Sequence, residues 1–366
     1  MNRFILAAYH YKVNKMEQKL TNTKNRESNI ELLRIVLMLM IIMHHLIVHG
    51  CDLSFISTGD YQKTNKDALF LFLNTFSIIA VNCFIFISGF YGIKFKVKTL
   101  IAFVLQALFY SVSLYLLKCV IDDNPISYPE LRKSFFPITY VNWWFLNAYI
   151  ALFILSPVIN KGLENITKKQ TIVLITLLFI IGGGYPLVGY NFYTQDGYSF
   201  FNLLIVYIIA RYCHRYITEI KGILPIYLSV FLISFIIIYL CFSQNRQLLT
   251  WRLMAYNCIW IIAAAALFFY LFKKIKIKSK LINKIAPLTF GIYLLHDSGI
   301  IKITIMTFIK SMNGKIDNNF TMLGILLLTT LIVFSICACI EKTRQIIFKP
   351  VLSYISKKIE SYQTDT

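Results

Sequence analysis

The chain has 366 residues, of which 57% are hydrophobic and only 15% carry a charge, and its mean hydropathy is +0.64. Soluble domains carry roughly 25% charged residues, so this composition excludes an ordinary water-soluble fold. The net charge of +20 suggests a nucleic-acid partner at first sight. The lysines and arginines, however, concentrate in alternate loops between apolar runs, which is typical of membrane topology.

Ten apolar runs follow one another along the chain and predict its secondary structure. A helix needs about 20 mostly apolar residues to span a bilayer, and several runs reach that length only with their flanks. In hydrocarbon the backbone must be hydrogen-bonded within the segment, so these runs are predicted to be helices, and none shows the alternating polarity of a barrel. We therefore predict an all-α, polytopic membrane protein with about ten transmembrane helices. The runs are Val36–Val48, Leu69–Phe90, Leu100–Leu117, Phe145–Ile159, Ile172–Ile181, Phe200–Ala210, Ile223–Phe242, Leu253–Phe272, Ala286–Phe308 and Met322–Ile340.

The distribution of basic residues predicts the orientation. With the N-terminus in the cytoplasm, roughly 27 lysines and arginines fall on that side and about eight fall in the opposite loops. This asymmetry follows the positive-inside rule and favours an even number of crossings, with both termini cytoplasmic. We divide the chain into a basic cytoplasmic arm (1–29), a membrane domain (30–345) and a cytoplasmic tail (346–366). Met16 is an alternative start, because nothing before it is needed for the membrane domain.

Ionisable residues within the predicted spans are few, and each is a candidate for function because charge is costly in hydrocarbon. His44, His45 and His49 lie in the first span, and His296 followed by Asp297 lies in the ninth. A structural interpretation, in which histidines only form hydrogen bonds between helices, is favoured for His44 and His49. No metal is expected, because no carboxylate or cysteine completes a site at the i, i+4 pair of His45 and His49.

Arg34 and His45 are predicted to share one face of the first helix. Eleven residues at 100° each fall within about 20° of three turns, and the two positions lie about 16.5 Å apart along the axis. Arg34 then lies at the cytoplasmic border, where Glu31 can pair with it, and His45 lies near the middle of a core about 30 Å thick. His296 lies about 15 Å into its own span, so we expect both imidazoles to face a common cavity. Imidazole suits proton transfer, because its unperturbed pKa is near 6.5.

Four short motifs stand in a fixed order along the chain. The first is a basic residue, ten intervening positions and a histidine, formed here by Arg34 and His45. The others are Ser-Gly-Phe-Tyr within 84–91, Trp-Phe followed by Tyr149 and Pro157, and Tyr-Leu-Leu-His ending at His296. In this order the motifs resemble membrane-bound acyltransferase family 3, and the likeness spans about residues 29–345.

The resemblance implies transfer of an acyl group, usually acetyl from cytoplasmic acetyl-CoA, onto a sugar hydroxyl. The acceptor would be a surface polysaccharide or its lipid-linked precursor, and the protein would lie in the cell membrane of a bacterium, among lipid and without a nucleic-acid partner. Acetyl-CoA would act as a substrate and no cofactor would stay bound. The sequence leaves open whether the acyl group is acetyl or succinyl, and which sugar is modified.

The resemblance also suggests roles for individual residues. His45 would act as general base or as transient acyl carrier, with Arg34 and His296 as the other catalytic candidates. Cationic side chains would bind the phosphates of acetyl-CoA by charge-assisted hydrogen bonds. The phosphate-binding candidates are Arg34, Lys94, Lys96, Arg211 and Arg215. The candidates for positioning the substrate are Asn147, Tyr149 and Ser88, although small residues such as Ser88 also let helices approach closely. Trp143 and Trp144 are equally well explained as interface anchors.

Two other classes of membrane protein share these general properties. A polysaccharide flippase or other transporter is also polytopic and carries intramembrane charges, but we find no repeat of one half of the chain in the other. A polysaccharide polymerase would be expected to have a long, basic outer loop, whereas the outer loops here are short and poor in arginine.

Overall fold

The computed structural model describes residues 27–182 and 195–364. The basic arm up to residue 26, including the alternative start Met16, lies outside the described residues. Helices and the loops between them make up the described part, which contains no strand. The α-helices are α1 Ser28–His45, α2 Asp67–Ser77, α3 Ala80–Tyr91, α4 Val97–Ile121, α5 Tyr128–Phe135, α6 Trp144–Glu164, α7 Lys168–Gly182, α8 Phe200–Tyr216, α9 Ile223–Ser243, α10 Gln247–Leu253, α11 Ile259–Lys274, α12 Lys280–Ile285, α13 Thr289–His296, α14 Gly299–Lys315 and α15 Asn319–Thr364.

The prediction of an all-α, multi-pass membrane protein is confirmed. Among the described residues, six helical segments are long and apolar enough to cross a bilayer, and a bent pair makes a seventh if it counts as one span. Helices occupy most of each of the ten apolar runs, but α7, α8 and α11 have only 15, 17 and 16 residues. Ten crossings and cytoplasmic termini therefore remain predictions.

Two of the predicted runs are divided differently in the structure. The second run comprises α2 and α3, which together form one candidate span from Asp67 to Tyr91. The eighth run was predicted to begin at Leu253, but Leu253 ends α10, and the next helix begins at Ile259. In the segment between Leu253 and Ile259, the carbonyl oxygen of Tyr256 accepts a hydrogen bond from Asn82 Nδ2 at 2.7 Å. A hydrogen bond from a neighbouring helix thus satisfies backbone that a continuous helix would have paired internally.

The ninth run was predicted to be one helix from Ala286 to Phe308, and this prediction is wrong. The chain bends by 81° between the α12–α13 segment and α14. α13 ends at His296, and Ser298 has extended backbone angles, with its hydroxyl donating to the carbonyl of Leu295 at 2.6 Å. Because this hydroxyl and the charged Asp297 provide local polar partners, the helix can end within an apolar stretch of sequence.

The first two spans form the centre of the bundle. In their most apolar stretches, 61% of the residues of the α1 span and 78% of those of the α2–α3 span are buried. The corresponding figure is 17% for α4 and 28% for α9, which expose apolar side chains on the outside, as lipid-facing helices do. α1 therefore runs through protein on most sides, which allows it to border an internal cavity.

Close packing fixes the position of α3. Gly89 lies so near to α8 that a Cβ atom there would come within 2.7 Å of the carbonyl oxygen of Tyr207. Glycine is needed at this position, since any side chain would push the two helices apart. The interpretation of the Ser-Gly-Phe-Tyr motif as a helix-packing element is supported. The close contact at Gly89 also fixes the neighbouring Ser88 relative to the centre of the bundle.

Candidate active site

A cavity of about 310 Å³ runs along one face of α1. Four residues of that helix line it, at spacings of four, three and four positions: Arg34, Met38, Ile41 and His45. This spacing keeps the four side chains in one stripe, because a helix completes a turn every 3.6 residues. The prediction that Arg34 and His45 border one cavity is confirmed.

Arg34 lies at one end of this stripe and is partly accessible, with 37% of its side chain exposed. Its Nη1 donates to Glu31 Oε1 at 2.8 Å, as the spacing of three residues predicts. A guanidinium has five N–H donors, so pairing with one carboxylate oxygen leaves donors for a further anion. At this end the cavity presents a positive charge already held in place by Glu31.

His45 lies at the other end of the stripe, and its ring stacks on that of His296. The ring centroids are 5.0 Å apart, and His296 Nε2 lies 3.0 Å from His45 Nδ1. His296 is only 1% exposed, and its Nδ1 lies 2.9 Å from the carbonyl oxygen of Ile292. The structure thus joins two histidines that are 251 residues apart in sequence, at the matching depths that were predicted. Of the two imidazoles expected to face a common cavity, however, only that of His45 lines it.

These contacts determine which nitrogen carries each proton. The carbonyl of Ile292 can only accept, so His296 Nδ1 carries a hydrogen and the Nε2 of neutral His296 accepts. The Nδ1 of His45 must then donate to His296, which leaves the lone pair on His45 Nε2. Since His45 lines the cavity, the arrangement orients a basic nitrogen in the manner of a general base held by a second group.

The helix break places a carboxylate beside this pair. Asp297 Oδ1 lies 3.7 Å from His45 Nδ1 and 2.9 Å from Lys302 Nζ. The lysine places a compensating positive charge beside this carboxylate, whose side chain is only 11% exposed. An ionised Asp297 would stabilise a positive charge that forms on His45. The sequence showed Asp297 as an isolated intramembrane carboxylate but gave it no role, because its position depends on the bend.

The neighbouring histidines have different surroundings. His44 is buried, and its Nδ1 donates to Asn74 Oδ1 at 2.7 Å, while its Nε2 lies 3.4 Å from the hydroxyl of Tyr256. These contacts support the structural interpretation of His44 as a link between helices. His49 is exposed on the π-helical turn Leu46–Gly50 that continues α1. Within 27–182 and 195–364, no three histidines, cysteines or carboxylates are grouped as metal ligands.

The substrate-positioning candidates do not share one environment. Ser88 and Tyr149 both line the Arg34–His45 cavity, with their hydroxyl oxygens 3.4 Å apart. Asn147 does not line it, and its side-chain amide is buried without a hydrogen-bond partner among the described residues. Trp143 is 3% exposed, so it is surrounded by protein rather than placed at a lipid interface. Trp144, by contrast, lines the cavity.

The remaining phosphate-binding candidates lie apart from the cavity wall. Lys94 and Lys96 are exposed in the loop after α3, and the guanidinium of Arg211 approaches this loop at Gly92, where φ is +73°. Arg211 and Arg215 line a separate cavity of about 290 Å³, and Arg215 Nη1 lies 3.3 Å from the carbonyl oxygen of Leu163. Of the five candidates, Arg34 alone lines the cavity that contains His45.

A buried ion pair that the sequence analysis missed supports the helix carrying His296. Glu341 is fully buried and bonds to Arg344 through both carboxylate oxygens, at 2.7 and 2.8 Å, and to the hydroxyl of Tyr110 at 2.5 Å. A side chain at Gly291 of α13 would overlap with this carboxylate. Glycine therefore allows α13 to lie against the ion pair. The available signal was Gly291 itself, two residues before the Tyr-Leu-Leu-His motif.

Comparison with known proteins was consistent with these motifs. No curated protein and no solved structure gave a significant match. A protein-family model described as an acyltransferase domain matches residues 27–341, which include every motif described above. This match covers most of the chain, and the chain therefore belongs to acyltransferase family 3.

Proposed function

We propose that this membrane acyltransferase moves acetyl from cytoplasmic acetyl-CoA to a sugar hydroxyl of a cell-surface polysaccharide or of its lipid-linked precursor. The observation that carries the proposal is the continuous cavity from Arg34 to His45. It connects a site for an anion to a site for a base over about 16.5 Å of helix, the separation expected of a substrate with a charged end and a distant reactive group.

The acyl donor would bind first by its charge. Its phosphates would contact the free N–H groups of Arg34, since guanidinium and phosphate form bidentate, charge-assisted hydrogen bonds. Lys94, Lys96 and Arg211 lie in or beside the loop that follows α3, and Tyr91 at the end of α3 donates to Glu27, just before α1. They would add positive potential near Arg34. Arg215, in the neighbouring cavity, would contribute least.

The thioester would then lie against an aromatic wall. Between Arg34 and His45 the cavity is bordered largely by apolar and aromatic side chains, including Phe84, Phe103 and Phe145. Such a wall favours an uncharged chain over water. The hydroxyl oxygens of Ser88 and Tyr149 lie 3.4 Å apart in this wall, and they would orient the thioester or the incoming sugar.

His45 would carry the proton. The sugar hydroxyl oxygen would attack the thioester carbonyl carbon while its proton passes to His45 Nε2, so that a C–O bond forms and the C–S bond breaks. The proton then passes to the departing thiolate, which restores His45. Asp297 would stabilise the transient imidazolium, and His296 would keep the ring in the productive tautomer. In the acyl-carrier alternative, the same nitrogen attacks the thioester carbonyl carbon and the C–S bond breaks to release the thiolate. The sugar hydroxyl oxygen then takes the acetyl group, the N–C bond breaks, and the hydroxyl proton passes to the thiolate.

Radiolabelled acetyl-CoA supplied to inverted membrane vesicles tests this function. A transferase fixes the label to polysaccharide or lipid-linked glycan, whereas vesicles without the protein do not. Loss of that label in the His45→Ala protein, at equal protein amount, is the expected result. Label that stays in solution with the wild-type protein would contradict the proposal and would favour a transporter.

A further inference from the structure

A second polar cavity, of about 310 Å³, lies at the His45 end of the bundle. It is formed by the last turns of α4, the start of α6 and the break between α13 and α14. The residues that matter here are Ser111, Lys118, Asn142, Trp143 and Asp297. None of them lines the Arg34–His45 cavity.

The two cavities are neighbours across a thin wall. Trp143 lines the second cavity, and Trp144, the next residue, lines the Arg34–His45 cavity. On the other side of the wall, Asp297 lines the second cavity and its carboxylate lies 3.7 Å from Nδ1 of His45, which lines the first. His45 and Asp297, which would handle the proton together, therefore each border one of the two cavities.

The second cavity presents groups suited to a polyhydroxylated ligand. Asn142 Nδ2 donates to the hydroxyl of Ser111 at 2.9 Å, which leaves the amide oxygen of Asn142 and the hydroxyl hydrogen of Ser111 for a ligand. Trp143 is 97% buried, and its indole N–H has no hydrogen-bond partner among the described residues. A buried donor without a partner costs free energy, so a shift of the indole that brings its N–H to a ligand in the cavity would add affinity.

We propose that this second cavity is the acceptor subsite and that it binds the sugar residue whose hydroxyl is acylated. The sugar would accept from Trp143, bond to Asn142 and Ser111, and donate to Asp297 at the wall shared with His45. Acyl donor and acceptor thus approach the histidine pair from opposite ends of the bundle. This inference rests on the proposed function and adds the substrate class and the residues that select it.

Kinetics with both substrates test the subsite. The variants Asn142→Ala, Ser111→Ala and Trp143→Phe each remove one polar group, and the last keeps an aromatic ring. The probe is polysaccharide from the source cells, stripped of its O-acyl groups by mild base. One hydrogen bond contributes about 0.5–1.5 kcal/mol, so each variant should raise the KM for this acceptor by roughly two- to tenfold. The KM for acetyl-CoA should not change.

Ser234→Ala is the matched control. Ser234 and Ser111 are both helical and both 7% exposed, but Ser234 lies on α9 and donates to the carbonyl of Val230 in its own helix. This control should leave both KM values unchanged, and unchanged acetyl-CoA kinetics in the test variants show that they are folded.

The two proposals fail in different ways. If the wild-type protein transfers no acetyl group to the stripped polysaccharide, the proposed function is wrong. If it does, and His45→Ala abolishes transfer, but all three test variants keep the wild-type acceptor KM, the second cavity is not the acceptor subsite.

Discussion

His44 and His45 are adjacent in sequence, yet the helix turns them about 100° apart into different surroundings. His44 has both ring nitrogens engaged, one by Asn74 and the other by Tyr256. In the described part of the chain, the side chain of His45 forms a hydrogen bond only to His296, and its ring borders a cavity. An imidazole with both nitrogens bonded to protein holds helices together, whereas one with a free nitrogen beside a cavity can accept a proton.

The comparison is tested most strongly by removing His45. His45→Ala should lower acetyl transfer at least about 100-fold, because a positioned general base contributes roughly 10²–10⁴-fold. The protein should remain folded, although its thermal midpoint should fall somewhat, because removal of His45 leaves the buried Nε2 of His296 without its donor. The measurement is the initial rate of label transfer in inverted vesicles, normalised to protein amount. Near-normal transfer would remove His45 from the reaction.

Arg34→Ala should have the next largest effect and should act on binding. Hydrogen bonds to charged groups contribute about 1.5–3 kcal/mol, so the KM for acetyl-CoA should rise roughly ten- to 100-fold. Arg34→Lys should recover part of this loss, because it keeps the charge but not the forked geometry. Lys310→Ala is the control, since Lys310 also pairs with an acidic residue, Asp52, and neither of the two lines the cavity. An equal effect in both variants would point to general surface charge.

Asp297→Asn should lower kcat by about tenfold at saturating acceptor. The expected loss of about 1.36 kcal/mol in stabilisation of the His45 imidazolium corresponds to a factor of ten. The KM for acetyl-CoA should stay the same, because Asp297 lies outside the Arg34–His45 cavity. Asp52→Asn makes the same chemical change in another lysine–aspartate pair and should not alter kcat. Unchanged kcat in Asp297→Asn would show that the carboxylate does not assist His45.

His44→Ala should have the smallest effect on catalysis and a measurable effect on stability. It leaves the buried Asn74 without its donor, which costs about 1–3 kcal/mol. The thermal midpoint in detergent should therefore fall, while the rate of transfer per folded molecule changes little. A rate loss as large as that of His45→Ala would contradict the different roles of the two histidines.

The sequence predicted the part of the site that lies within one helix. Arg34, Glu31 and His45 are related by helical periodicity alone, so their shared face and their ion pair follow from spacing. The matching depths of His45 and His296 in two spans that run in the same direction predicted that they lie close together, but not that they contact each other while only His45 lines the cavity. A long apolar run and a fixed rise per residue were sufficient for that prediction.

Features that depend on contacts between distant segments were not predictable in this way. The bend at Asp297 interrupts an apolar run, and the hydrogen bond of the Ser298 hydroxyl and the ion pair of Asp297 with Lys302 accompany it. Spacing along α8 could not show that Arg211 and Arg215 line a different cavity from Arg34. The buried pair of Glu341 and Arg344 acts on α13 from another helix, which hydropathy does not reveal.

A structure of the protein with a non-reactive thioether analogue of acetyl-CoA tests the central claim most directly. We expect its phosphates within hydrogen-bond distance of Arg34 and its acyl carbonyl beside Nε2 of His45, inside the cavity that the two residues share. An analogue bound only in the cavity of Arg211 and Arg215, with the space beside His45 empty, would contradict the mechanism.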